Sequence, residues 1–326
     1  MSSLAVVDVS NINQKTGDKL VEAASTLGFV FIEGSDFTQQ EVDSMFDLSK
    51  QFFSLNYEQK NQVPITSQNY GYSRLNLEVL DPSNQPMGDP KEAFNFSQFI
   101  NGRPLHRLPD FFETHIDQVR HFEAKCHALA VQLLRLLAIG LKIDRSVGGE
   151  NWFADRHKWQ EKSGSVLRFL YYHSQKSASP EEQIRAGAHT DYGSLTLLFQ
   201  QEGQDGLEIL SPITKEWTRV PFMPAKPGGS PPVIVNIADL LSFWTAGVLK
   251  SSIHRVKFPK DAQIEGRDRC SIVYFFHSQE DVLLEPVPSP IVAAVSGRGA
   301  NAEGHKVITA QEHLQKRLAA TYGWKK

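Results

Sequence analysis

Apolar residues recur with a helical period through the first half of this chain and with a strand period after about residue 165. Val42, Met45, Phe46, Phe52 and Phe53 fall on one stripe of a helix predicted from residue 38 to about 60. Ile116, Val119, Phe122, Leu129, Leu133, Leu136, Leu137 and Leu141 mark a longer helix expected to run beneath a sheet. Residues 4–10 and 28–34 read as strands flanking a helix over 16–27. Beyond residue 165 the texture becomes VLRFLYYH, SLTLLFQ, GLEIL, WTRV, PVIVNI, SIHRVKF, CSIVYFF and VLLEPV, punctuated by Gly, Pro, Asp and Ser. That pattern predicts an antiparallel barrel or jelly roll. The fold class expected is therefore mainly β with flanking helices and a jelly-roll core.

The pattern divides the chain into a strand and helix layer over 1–110, a jelly-roll core over 165–290 and a C-terminal helix at about 308–323. Together these form one domain over 1–326, since large barrels and sandwiches commonly run as single units. The stretch 64–109 is rich in Asn, Pro, Gly and aromatics and weak in periodicity, as expected of an irregular layer over a site. Its aromatics Tyr70, Tyr72 and Phe94 are candidates for a lid, with core packing as the competing assignment.

Composition narrows the function classes. Hydrophobic residues make up 40% and charged residues 22%, ordinary for a globular protein, and a net charge of −3 gives no general pull toward nucleic acid or anionic membrane. The N-terminus lacks a basic segment followed by an apolar run, and no stretch approaches the roughly eighteen apolar residues of a membrane span. Cys126 and Cys270 lie far apart, against a disulfide framework or a thiolate zinc site. A cytoplasmic location and a small-molecule partner are the expectations.

The chemistry concentrates in His189-Thr190-Asp191, which immediately precedes the strand GSLTLLFQ, and in His254, sixty-three residues beyond Asp191. Two imidazoles and one carboxylate can occupy one face of an octahedral metal and leave the other open, as in non-haem Fe(II) oxygenases. Zinc competes for such a set, although the His-Glu-x-x-His signature of zinc proteases is missing. His121-Phe122-Glu123 is a useful contrast: it is also His-x-acid, but inside the long helix, where residues two apart do not face one another.

Fifteen residues after His254 comes Arg269-Cys270-Ser271, opening a strand on which Arg269 and Ser271 share a face. Arg269 offers a planar fork for a carboxylate, Ser271 adds a donor, and Tyr172 is a plausible third; Arg168 shares its strand face. Phe275, also on the Arg269 face, can stack on a flat substrate. Arg185, four residues before His189, and Asn236 are candidate substrate-reading groups, against the alternatives of a solvated loop cation and a turn residue. Gly297-x-Gly299-x-x-Ala302 mimics a dinucleotide fingerprint, but too little chain follows to build a Rossmann unit.

The ordered set His189-x-Asp191, His254 and Arg269-x-Ser271 resembles the Fe(II)- and 2-oxoglutarate-dependent dioxygenases of the isopenicillin N synthase-like branch. The likeness extends through VVDVS, GFVFIEG, FFSLNYEQK, YGYSR and KEAFNF. It implies a double-stranded β-helix, iron held by His189, Asp191 and His254, and the distal carboxylate of 2-oxoglutarate held by Arg269 and Ser271, with Tyr172 assisting. The activity implied uses O2 to hydroxylate, desaturate or cyclise a small molecule, releasing succinate and CO2. RAGAHTDYGSLTLLFQ and QKRLAATYG are most similar to fungal-type members that include pyrimidine-base hydroxylases, which points to a planar heterocycle or natural-product intermediate as substrate. The gap between His254 and Arg269 is longer than in many plant members, as a hairpin extension would make it. The competing functions are a same-branch oxidase that uses no 2-oxoglutarate and an inactive metal-dependent module that binds a small ligand; succinate formation separates them from the oxygenase.

Overall fold

The computed structural model describes residues 4–81, 88–174, 184–258, 266–296 and 307–322. Its strands are β1 (Val6–Asp8), β2 (Phe29–Glu33), β3 (Gly71–Ser73), β4 (Glu92–Ser97), β5 (Phe99–Ile100), β6 (Arg103–Pro104) and β7 (Val166–Tyr172), then β8 (Ile184–His189), β9 (Leu195–Phe199), β10 (Leu207–Leu210), β11 (Trp217–Arg219), β12 (Val233–Ile237), β13 (His254–Lys257) and β14 (Arg269–Phe276). Four longer helices frame them: α1 (Gln14–Thr26), α2 (Gln39–Ser54), α3 (Ile116–Gly140) and α4 (Ala310–Tyr322).

An eight-stranded sheet runs in the order β1-β2-β12-β9-β14-β7-β4-β3, and a four-stranded sheet in the order β11-β10-β13-β8. These are the two faces of a double-stranded β-helix. The N-terminal segment does not form a layer apart from the core. Its strands β1 and β2 extend one edge of the large sheet and β3 and β4 the other. VLLEPV forms no strand; Leu283 makes only an isolated bridge to Thr309.

Strand alternation assigns the two faces of the large sheet. Leu167, Phe169, Leu197, Phe199, Val235, Tyr274 and Phe276 pack into the main core with the helices, whereas Arg168, Leu170, Tyr172, Leu198, Asn236, Arg269, Ser271, Val273 and Phe275 line the space between the sheets. Helix α2 buries Val42, Met45, Phe46 and Phe52 in that core. Its first turn is fixed by a capping box, with the Thr38 hydroxyl accepting from Glu41 N–H and Glu41 Oε2 accepting from Thr38 N–H. The helix ends at Leu55, which is extended, so the predicted run to residue 60 divides into α2 and a short turn at Tyr57–Lys60.

Helix α3 crosses α1 at two glycines. A Cβ on Gly140 would lie 2.3 Å from the Gly17 carbonyl oxygen, and one on Gly17 would lie 2.7 Å from that of Leu136, so only glycine allows the backbones this close. Within α3, His121 is exposed against Glu41 while Glu123 is wholly buried, so the pair faces in different directions as the helical period requires. Tyr72 and Phe94 are core residues: Tyr72 hydrogen-bonds Glu92, and the Phe94 ring packs on Phe52 and Phe112. Of the three lid candidates, Tyr70 alone lines the cavity. The Gly297-x-Gly299-x-x-Ala302 motif lies outside the described residues, as does part of the extension between His254 and Arg269.

Candidate active site

A cavity of about 220 Å³ lies between the two sheets, with His189, Asp191 and His254 on its small-sheet side. His189 ends β8, Asp191 follows in the connection to β9, and His254 opens β13. His189 and His254 are direct cross-strand partners. One donor atom from each of the three residues lies within 4.8 Å of the others, making this the one such cluster of three among the described residues. The Nε2 atoms of His189 and His254 stand 3.8 and 3.7 Å from Asp191 Oδ1.

Neighbouring hydrogen bonds decide which atoms are free to bind a metal. His189 Nδ1 donates to the Gly187 carbonyl at 2.7 Å, and His254 Nδ1 to that of Ser252 at 3.1 Å. Both Nε2 lone pairs are thereby turned toward the shared centre. Asp191 Oδ2 accepts from Thr196 Oγ1 and Asn236 Nδ2, each at 2.8 Å, which leaves Oδ1 toward the imidazoles. Burial alone would raise the Asp191 pKa; the two imidazoles and these hydrogen bonds outweigh it and hold the carboxyl below its ordinary value. Burial, followed by the field of His254, lowers the pKa of His189 and keeps it the neutral imidazole that ligation requires. The donor set fits a divalent metal with three adjacent protein ligands.

Arg269 and Ser271 stand on the opposite, large-sheet wall. Arg269 is 3% exposed, and its Nε donates to the Gln204 carbonyl at 3.0 Å, its Nη1 reaches Ser271 Oγ at 3.4 Å, and its guanidinium lies 5.0 Å from the Tyr172 ring centre. Tyr172 is its direct partner on β7. Burial lowers the Arg269 pKa, and among the described residues it makes no ion pair. A buried cation of this kind is stabilised by an incoming carboxylate.

The substrate candidates separate. Phe275 is half-buried and lines the cavity. Asn236 also lines it, and one N–H of its amide is given to Asp191 Oδ2, so its side chain helps to orient that carboxylate. Arg185 is directed elsewhere: it is 1% exposed, absent from the cavity lining, and stacked 4.7 Å from the Phe258 ring centre. The cause is a slip in register, since His254 pairs with His189 but Val256 pairs with Ala186. Three residues of β8 thus span two of β13, which puts Ala186 rather than Arg185 on the cavity side, and a second shift follows between Val256 and Lys257. Arg168 faces the cavity and pairs with the buried carboxylate of Glu78, which is also 3.3 Å from Lys91 Nζ.

Two groups important to the site carried no motif. Asp239, in the short helix Asp239–Trp244, accepts from Thr190 Oγ1 at 2.9 Å and Ser251 Oγ at 2.6 Å, while its N–H donates to the Asp191 carbonyl at 2.8 Å. It joins the loop carrying Asp191 to the chain leading into His254. Helix α4 supplies Gln311, Leu314, Gln315 and Leu318 to the cavity wall; their spacing of three and four residues was the available signal.

This geometry is matched by relationship. The 2OG-Fe(II) oxygenase superfamily profile matches residues 163–278, and one described as the N-terminal part of a non-haem dioxygenase in morphine synthesis matches residues 4–113. A UPF0676 protein of Schizosaccharomyces pombe is 32% identical, spanning 99% of this chain and 95% of its own length. A full-length Neurospora crassa protein solved with 2-oxoglutarate and 5-formyluracil superposes with TM-score 0.76 at 28% identity, covering 97% of this chain and 96% of that one. The same protein with 2-oxoglutarate and thymine gives TM-score 0.75 at 27% identity, with the same coverage of 97% and 96%. The chain belongs to the 2OG-Fe(II) oxygenase superfamily, in its isopenicillin N synthase-like branch. It is a 2-oxoglutarate-dependent dioxygenase whose cofactors are Fe(II), 2-oxoglutarate and O2. Among the described residues no helix is long and apolar enough to cross a membrane.

Proposed function

We propose that this enzyme hydroxylates a small planar heterocycle of the pyrimidine-base type, with His189, Asp191 and His254 as the iron ligands and Arg269, Ser271 and Tyr172 holding the distal carboxylate of 2-oxoglutarate. The observation that carries this reading is a shared cavity: a three-ligand face on one sheet and a buried guanidinium without an ion-pair partner among the described residues on the other. Iron bound there supplies the redox chemistry that links ketoacid decarboxylation to oxidation of a C–H bond. The protein's contribution is placement. Arg269 and Ser271 anchor the ketoacid by its far end, Phe275 offers a ring face to a flat substrate, and Val166, Leu170 and Val273 line a wall that excludes water. The Neurospora crassa relative's complexes with thymine and 5-formyluracil support the substrate class.

The reading takes residues 1–326 as one oxygenase domain, supported by a large sheet whose strands come from both halves of the chain. A cytoplasmic location belongs to it as well, supported by two buried free thiols at Cys126 and Cys270. The test is an anaerobic titration with Fe(II) and 2-oxoglutarate, followed by air and assay of succinate with thymine and related heterocycles. A visible metal-to-ketoacid band and substrate-stimulated succinate are expected. Iron binding without ketoacid binding would favour a same-branch oxidase, and both ligands binding without turnover would favour a ligand-binding module.

A further inference from the structure

One face of α4 covers the cavity. Gln311, Leu314, Gln315 and Leu318 all line it. Leu314 lies so close over Gly164 that a Cβ added there would meet Leu314 Cδ2 at 2.5 Å. At the rim, Gln311 Nε2 donates to Glu280 Oε2 at 3.4 Å and Lys162 Nζ stands 3.1 Å from the same oxygen. The covering surface is therefore apolar within and rich in amides and charge at its edge.

Another side of the helix reaches the metal-binding loop. Arg317 Nη2 lies 2.7 Å from Asp239 Oδ2 and donates to Thr190 Oγ1 at 3.0 Å, while its guanidinium sits 5.2 Å from the Tyr192 ring centre. Thr190 and Tyr192 flank Asp191 in sequence. The Arg317 side chain is 41% exposed, so its ion pair adds little to stability. Its geometry nevertheless fixes where the cavity face of α4 stands relative to the metal ligands.

We propose that α4 is the substrate-selecting roof of the site: Leu314 and Gln315 contact the organic substrate and decide which molecule is accepted, and Arg317 is a positioning residue that sets the roof against the metal loop. The proposal rests on the hydroxylase reading and adds to it the residues that discriminate among substrates. Shortening Leu314 enlarges the roof, and a single methylene more or less in an apolar wall changes selectivity by about 10- to 200-fold. Loosening Arg317 displaces the whole covering face and separates ketoacid consumption from substrate oxidation.

The experiment uses the full chain with Fe(II) and 2-oxoglutarate and a panel of planar heterocycles of increasing bulk, beginning with thymine. Wild type, Leu314→Ala, Gln315→Ala, Arg317→Ala and Arg317→Lys are compared for organic-substrate KM, product formed per succinate, and 2-oxoglutarate affinity by absorbance titration. Leu314→Ala is expected to shift preference toward bulkier members by about tenfold or more. Gln315→Ala should raise KM for members with polar edges. Arg317→Ala should raise KM and lower product per succinate, Arg317→Lys should recover part of both, and every variant should keep wild-type ketoacid affinity. An unchanged substrate ranking together with unchanged KM and coupling overturns the roof, as does ketoacid affinity falling in step with substrate affinity. A wild-type enzyme that oxidises no panel member overturns the hydroxylase reading and this proposal with it, whereas variants matching a competent wild type overturn the roof alone.

Discussion

His189 and His254 face one another across the β8–β13 pair with ring centres 4.4 Å apart, at the point where that pair changes register. Each imidazole is held by a carbonyl two residues earlier in its own chain segment, Gly187 for one and Ser252 for the other. The two rings are thus oriented by the backbone before any metal arrives. Preorganisation of this kind spares the bound state an ordering cost. It leaves Asp191 as the ligand whose orientation depends on side chains from other strands.

That dependence predicts the effect of Asn236→Ala. Loss of the 2.8 Å hydrogen bond to Asp191 Oδ2 should weaken Fe(II) binding by about 10- to 100-fold, the usual range for partners of metal ligands. Isothermal titration under anaerobic conditions measures it. Unchanged iron affinity combined with a raised substrate KM would instead make Asn236 a substrate-reading group.

Arg269→Ala should weaken 2-oxoglutarate by about 2–5 kcal/mol, at least thirtyfold, because removing one partner of a buried charge pair leaves the other unpaired. Arg269→Lys should recover only part of this, since an ammonium cannot reproduce the planar fork or its stacking on Tyr172. The absorbance band of the iron–ketoacid complex reports both. Equal affinities for Ala, Lys and wild type would place the ketoacid elsewhere.

Phe275→Ala should raise the KM for a flat substrate by about three- to tenfold beyond the loss of contact area, the value of one aromatic stacking interaction. Phe275→Tyr should stay near wild type. A parallel series with a non-planar substrate checks the cause: equal losses for both shapes would mean Phe275 only fills space.

The site was legible where chemistry and strand parity coincide. His189, Asp191, Arg269, Ser271, Tyr172 and Phe275 all line the cavity, and the last four share the inward parity of two adjacent strands. Arg185 fails the same reasoning because parity cannot be counted across a bulge, and nothing in RAGAH announces the slip between Ala186 and His189. Asn236 has inward parity, yet a one-dimensional pattern does not say whether its amide meets substrate or Asp191. Asp239 and Arg317 were missed for a similar reason. They lie 49 and 127 residues from Thr190, the partner they share, and only the folded chain brings the three together. The fold class followed from the change in hydrophobic period, whereas the entry of β1 to β4 into the large sheet depends on pairings that no local pattern encodes.

Buried histidines predict an acid-sensitive fold. His106 and His127 are pushed down to about 4 by burial, and His157 to about 3 by burial first, with its ring held between the Phe153 carbonyl and Ser194 Oγ at 2.7 Å each. Their folded pKa values lie below the ordinary 6.5, so the unfolded chain takes up more protons as pH drops through 6.5. Stability contributed by each neutral ring is complete above that value and falls as pH decreases toward the folded pKa, by at most about 1.4 kcal/mol per pH unit for each group. Glu41, Glu78 and Glu92, held at about 2 against an ordinary 4.5, add their own loss only at lower pH. Urea unfolding of the metal-free protein between pH 7 and 5 isolates the histidines. The midpoint should fall across that interval, and His127→Phe, seated between the Trp159 and Phe276 rings, should make the fall shallower. A midpoint that holds constant down to pH 5 would show that these rings gain their protons without leaving the fold.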